Sequence, residues 1–265
     1  MKSHLAAFGF LAALALAWLH ADDPSVSWPP PPLQTPFATH AAPRIEWLYR
    51  FENNLNLYKG PHDMIWDGDS ITDGWQASGR TVWTARFGQI KIADFGISGD
   101  RVENVLWRVQ HGQLDGQAPK LVMLMIGTNN LTQSPRDVAD GIKMLIGEYE
   151  TRCPHAQILL LGIFPRSPNP ADPPRDWVKK VNAIISGYNS DPRVTYLYFG
   201  NNFLAADGTL PKEIMPDALH PNLQGYGIWA DAITPIVQKY FPGQLGPAPG
   251  SSAAAAASSA PPAAR

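Results

Sequence analysis

The sequence predicts an α/β sandwich, a parallel sheet covered on both faces by helices, and three observations lead there. Five short apolar runs, at 64–66, 90–95, 121–126, 158–163 and 194–198, have the length and bounding of buried strands. Segments of helical length fall between them, at 81–87, 102–110, 135–152 and 177–189, and another at 223–240 closes the pattern. Successive strands separated by helix-length crossovers pair in parallel and leave helices on the sheet faces. The third observation is composition: 265 residues, 45% hydrophobic and 17% charged, supply a full core for one ordinary domain.

Local signals justify the elements in turn. Pro135 suits a first helical turn, and Ser134 before it is a candidate N-cap. Pro221 stiffens the chain ahead of the last helix. Cys153, the only cysteine, excludes an internal disulfide and a cysteine zinc site, and reads as a small buried residue late in its helix.

The ends have a different character. Residues 1–21, with Lys2 and His4 ahead of an apolar run over 5–19, read as a secretory signal peptide cleaved near Ala21 or earlier near Ala17. An uncleaved anchor is the alternative, and the run is short for a membrane span. Residues 22–43 are proline-rich and read as a linker, 44–240 as the folded domain, and 241–265 as a disordered Gly/Pro/Ala/Ser tail. The expected location is therefore secreted or periplasmic, with no stable membrane insertion after cleavage. A net charge of −2 without a basic run offers no electrostatic footprint for nucleic acid.

Ligand sites in open parallel sheets lie at the carboxyl ends of the strands. Ser70, Gly96, Gly127-Thr128-Asn129 and Pro165-Arg166 each follow an apolar run, so their loops should gather on one edge. Ser70 alone reads as a helix cap. With Asp217 three residues before His220 it gains a base and an acid to orient that base, the parts of a nucleophilic hydrolase. A tetrahedral intermediate also needs donors, and the Ser70 N–H, the Gly96 N–H and the Asn129 amide are candidates. Turn chemistry at Gly96 and Gly99 and a local loop bond at Asn129 are the plainer readings. Asp69, Trp75, Arg101, Asn130 and Arg166 are candidate cleft residues. Against that, Asp69 reads as loop support and Arg101 as a solvated arginine, while Arg108 and Trp107 read as packing or pairing within the fold.

The order Gly68-Asp69-Ser70-Ile71, Phe95-Gly96-Ile97-Ser98-Gly99, Gly127-Thr128-Asn129-Asn130, Asp217-Ala218-Leu219-His220 resembles the SGNH (GDSL-type) hydrolase family over 44–240. The four letters are carried onto Ser70, Gly96, Asn129 and His220. Gly99-Asp100-Arg101-Val102-Glu103-Asn104-Val105-Leu106-Trp107-Arg108 and Phe164-Pro165-Arg166 are similar to the platelet-activating-factor acetylhydrolase catalytic-subunit branch and its bacterial relatives. Where many members carry Asn-Asp, this chain carries Asn129-Asn130. The resemblance implies a three-layer α/β/α sandwich around a central parallel five-stranded, flavodoxin-like sheet. It implies ester hydrolysis with Ser70 as nucleophile, His220 as base then acid, Asp217 as orienter, and no metal or cofactor. It also implies a homodimer, the state common in that branch.

Substrate follows from compartment or from family, and the two diverge. Secretion favours acetyl groups on soluble carbohydrate; the branch favours a lysophospholipid, a platelet-activating-factor-like lipid or an aryl ester. Two readings of other classes compete. Asp67-Gly68-Asp69-Ser70-Ile71-Thr72 matches a D-x-D-x-x-T phosphatase pattern with Asp67 as nucleophile and magnesium bound by carboxylates, but Gly96 and Asn129 stand where its later lysine and acids belong. A carbohydrate-binding module with a vestigial site is the other.

Overall fold

The computed structural model describes residues 37–247. Five strands, β1 Met64–Gly68, β2 Ile92–Asp94, β3 Leu121–Met125, β4 Gln157–Leu161 and β5 Val194–Leu197, form one sheet in the order β2-β1-β3-β4-β5. Every pairing is parallel, with Trp66 opposite both Asp94 and Met123, and Gly68 opposite Met125. The order reverses between β1 and β3, and such a switch point opens a crevice at the carboxyl ends of those two strands.

Strand residues alternate between two cores. Ile65, Val122, Leu124, Ile158 and Leu160 point into one, which α4 (Val102–Arg108), α5 (Pro135–Arg152) and α6 (Pro173–Ile185) close with Val105, Leu145, Tyr149 and Val181. Met64, Trp66, Met123, Leu159 and Leu161 point into the other, which α3 (Arg80–Phe87) and α7 (Leu223–Tyr240) close with Phe87, Trp229, Ile233 and Val237. Helices, sheet and helices make the three expected layers. Burial of each such side chain stabilises by about 1.5–3 kcal/mol, and an apolar residue at nearly every strand position secures the sheet on both faces.

Several boundaries differ from expectation. The run at 90–95 yields a strand only over Ile92–Asp94, because Ile90 still belongs to the turn that ends α3, its N–H donating to Phe87 O at 2.9 Å. The helix expected from 177 begins at Pro173, where Pro173-Pro174 sit in the first turn and need no N–H partner. A helix absent from the sequence reading, α1 (Leu48–Leu57), buries Phe51 edge-on against Trp107 at 5.6 Å. Its signal was the spacing of Leu48, Phe51, Leu55 and Tyr58.

Parts assigned to the linker and tail belong to the domain. Ala38 is fully buried and donates its N–H to Gln133 Oε1 at 2.8 Å, and Ala42 O accepts from Asn104 Nδ2 at 3.0 Å. Phe241 is fully buried, and Gly246 donates to Arg86 O at 2.9 Å. The leader and the remaining linker and tail residues, 1–36 and 248–265, lie outside the described residues. Among the described residues no helix is long and apolar enough to cross a membrane.

Candidate active site

β1 delivers the chain to a tight turn. A Cβ on Gly68 would collide with the Met125 carbonyl, so only glycine fits there. Asp69 then caps the single-turn helix α2 (Ser70–Asp73): its Oδ1 accepts the Ile71 N–H at 3.0 Å and its carbonyl the Asp73 N–H at 2.9 Å. The Asp69 carboxyl is buried, and burial pushes it up to about 7; the Ile71 N–H and the nearby His220 and Arg166 oppose that rise, while Asp100 adds to it. Asp69 supports the loop.

Ser70, half-buried at the start of α2, places Oγ 2.8 Å from His220 Nε2. His220 comes from the loop before α7, held by bonds from Ser167 N–H to Ala218 O (2.9 Å) and from Asn222 N–H to Ile214 O (3.0 Å). Ala218 adopts φ +57°, a left-handed turn that folds Asp217 back onto the histidine. Asp217 Oδ1 accepts the Leu219 and His220 N–H groups at 3.1 and 2.8 Å, and Oδ2 meets His220 Nδ1 at 2.6 Å. Burial alone would raise the Asp217 carboxyl, but the His220 hydrogen bonds and charge hold it below its ordinary range. A carboxylate on Nδ1–H leaves Nε2 as the acceptor facing the Ser70 hydroxyl, the arrangement proton removal requires.

The loop after β2 corrects one assignment. Gly96 donates its N–H to Asp94 Oδ1 at 2.9 Å and packs so tightly on α2 that a Cβ would collide with the Asp73 N–H. That Gly96 N–H is spent within the loop. Three residues on, Gly99 has φ +82°, and among the described residues no acceptor meets its N–H or that of Ser70. Asn129, after β3, donates one amide hydrogen to Asp100 O at 2.8 Å, which sets its amide against the Gly99 turn with the second hydrogen free of that bond. Of the two glycines, Gly99 is the one whose N–H meets no acceptor among the described residues. Both glycines lie in one motif, and only the direction of each N–H separates them.

The other cleft candidates divide. Arg166 lies at the site: its Nη1 donates to Thr128 O at 2.5 Å, and burial lowers its basicity against the charges of Asp69 and Asp217. Trp75 does not. It is fully buried among Trp66, Phe87, Tyr226 and Trp229, so it cannot stack on a substrate. Asn130 is also fully buried; its Oδ1 accepts from Val102 N–H (3.1 Å) and its Nδ2 donates to Glu103 Oε2 (2.8 Å), tying the loop after β3 to α4. Arg101 heads α4 half-exposed, its guanidinium 4.0 Å from Glu103 Oε1, on the Asn130 side.

Beneath the loops lies a buried ionic network. Arg108 donates from Nε to Asp100 Oδ2 at 2.9 Å and from Nη2 to Asp67 Oδ1 at 3.1 Å. Asp67 also accepts from Tyr149 Oη (2.6 Å) and from its neighbour Gly68 N–H (2.9 Å). Asp67, with no exposed surface and both carboxylate oxygens engaged, cannot be the nucleophile of a phosphatase. Among the described residues no group of three or more His, Cys, Asp or Glu could hold a metal ion.

A family model described as GDSL-like lipase/acylhydrolase matches residues 68–228. The alpha1 subunit of platelet-activating factor acetylhydrolase IB from Bos taurus is 32% identical over 165 residues, covering 62% of this chain and 70% of that one. The alpha2 subunit from Rattus norvegicus is 33% identical over 194 residues, covering 71% and 83%. Among solved structures, a GDSL-like lipase from Bacteroides thetaiotaomicron is similar with TM-score 0.61 at 18% identity, covering 72% of this chain and 97% of that one. An acetylxylan esterase from Geobacillus stearothermophilus is similar with TM-score 0.53 at 18% identity, covering 69% and 95%.

Proposed function

Because the chain belongs to the GDSL-like lipase/acylhydrolase family and is an ester-hydrolysing enzyme, we propose that Ser70 is the nucleophile of a serine esterase acting on short acyl, chiefly acetyl, esters. The observation that carries this reading is the unbroken chain Asp217 Oδ2 to His220 Nδ1 and His220 Nε2 to Ser70 Oγ. Ser70 Oγ bonds to the ester carbonyl carbon as its proton passes to His220 Nε2, and Asp217 offsets the charge that appears on the ring. The carbonyl oxygen, now an anion, takes the Ser70 N–H, the Gly99 N–H and the second Asn129 amide hydrogen. Collapse expels the alcohol with the proton from His220, and a water repeats the sequence to release the acid and free Ser70.

Two lines support acetyl on a soluble alcohol, with carbohydrate as the class. The relatives near 32–33% identity are named as acetylhydrolases. The His220 and Asp217 side chains are 42% and 55% exposed, so the nucleophile opens at a wet rim that suits a polar alcohol. The same relatives favour a second reading, an acetyl group on an ether phospholipid. Comparison of acetylated sugars, an acetyl ether phospholipid and octanoyl esters, each with Ser70→Ala as control, tests the assignment. Fast acetate release from sugars that Ser70→Ala abolishes is expected; full activity of Ser70→Ala removes the nucleophile, and preference for octanoyl esters removes the acetyl reading.

A further inference from the structure

Arg44 stands just ahead of α1, far from the motif residues in sequence, yet its guanidinium touches the peptide unit on which the oxyanion chemistry depends. Its Nη1 donates to Ser98 O at 2.6 Å, and a Cβ on Gly99 would lie 2.5 and 2.8 Å from Nη1 and Nη2, so the cation lies directly against Gly99 Cα. The Ser98 carbonyl and the Gly99 N–H belong to one peptide group. A cation bound at the oxygen end draws electron density along that unit and strengthens the N–H as a donor; hydrogen-bond chains polarise in this way by roughly 10–30% per bond. We propose that Arg44 is a positioning residue that aims and polarises the Ser98–Gly99 peptide for the anionic intermediate.

The surroundings hold that peptide from both sides. Ser98 Oγ donates to Asp73 Oδ2 at 2.7 Å, and Arg50 Nη2 grips Asp73 Oδ1 at 2.5 Å, which ties the turn to α2 and α1. Arg44 Nη1 lies 3.7 Å from Asp100 Oδ1 and its Nε donates to Glu46 Oε1 at 3.0 Å, so the guanidinium is fixed in orientation. Its side chain is 23% exposed, which leaves its field on Gly99 only partly screened. Residue 99 favours glycine because φ +82° strains any other residue, and a side chain there would also push the Arg44 guanidinium off the Ser98 carbonyl.

The inference rests on the proposed role of Ser70 and Gly99, and its test separates the two. Arg44→Met, Arg44→Lys and Ser70→Ala are compared for kcat, KM, melting temperature and affinity for an aryl trifluoromethyl ketone, which forms a tetrahedral oxyanion adduct with an active serine. Expected for Arg44→Met is a kcat loss of about tenfold or more, below the 10²–10³ of losing a whole donor. Ketone affinity should fall in parallel while KM holds, and Arg44→Lys should recover part of both. A kcat for Arg44→Met within twofold of wild type, or a loss that tracks melting temperature and KM while ketone affinity is retained, overturns the inference. Should Ser70→Ala stay active, the site reading itself fails; should it be dead while Arg44→Met is normal, only the inference does.

Discussion

Replacement of Asp217 by asparagine tests the charge and tautomer logic with almost no change of shape. Oδ1 is pinned by two backbone donors, Leu219 N–H at 3.1 Å and His220 N–H at 2.8 Å, and only an acceptor satisfies them. The amide oxygen of the introduced side chain must therefore take the Oδ1 position, and its NH2 must take the Oδ2 position, 2.6 Å from His220 Nδ1. An NH2 there donates to Nδ1, so the ring proton moves to Nε2, and Nε2 then faces Ser70 Oγ as a donor that cannot accept its proton. The cost is the wrong tautomer plus the lost carboxylate, about 10⁴ in kcat or ~5.5 kcal/mol in the barrier. Asp217→Asn should keep its melting temperature within a degree or two, because the pair lies at an exposed rim. Steady-state hydrolysis of an aryl acetate, with thermal melting alongside, reads both quantities. A variant that keeps more than a tenth of wild-type kcat refutes the assignment of Asp217 as the orienting acid.

Other consequences follow from the same geometry. Asn129→Ala removes a side-chain donor, and kcat should fall by about 10²–10³ with KM little changed in the same assay. Arg108→Met leaves Asp67 and Asp100 without their buried partner, and urea unfolding should show a loss of about 3–5 kcal/mol. Asp69 is held near 7 by burial, above its value in the unfolded chain, so its contribution is fully present below about pH 4 and is lost as pH rises through 7. Asp69→Asn, which keeps the cap acceptor for Ile71, should gain stability relative to wild type between pH 4 and 8 in denaturant titrations; an unchanged difference across that range contradicts the raised carboxyl.

The sheet was legible because its strands are apolar at nearly every position, a pattern that needs no tertiary knowledge. That Ser70, Asp217 and His220 meet was legible for a related reason: the expectation rests on residue type and on a three-residue spacing that one turn can satisfy. Gly96 and Gly99 were not separable on those terms. Both are glycines of one loop, and the difference is that one N–H is turned onto Asp94 while the other meets no acceptor among the described residues. Trp75 was misplaced because it sits in a three-residue 3-10 turn, Gly74–Gln76, too short to give a periodicity from which to read its buried side. Asn129 and Asn130 look alike in sequence, yet adjacent residues point opposite ways, one along the loop rim and one into the core. Arg44 and α1 escaped notice because their contribution is long-range: Arg44 meets Ser98, 54 positions away.

Mass mapping of the enzyme after reaction with an aryl phosphonate ester tests the central claim most directly, since the reagent labels a serine that is both activated and supplied with oxyanion donors. The account predicts one adduct, on the peptide carrying Ser70, formed in step with loss of activity and absent from His220→Ala. Stoichiometric labelling of a different residue, or complete inactivation with Ser70 unmodified, would contradict it.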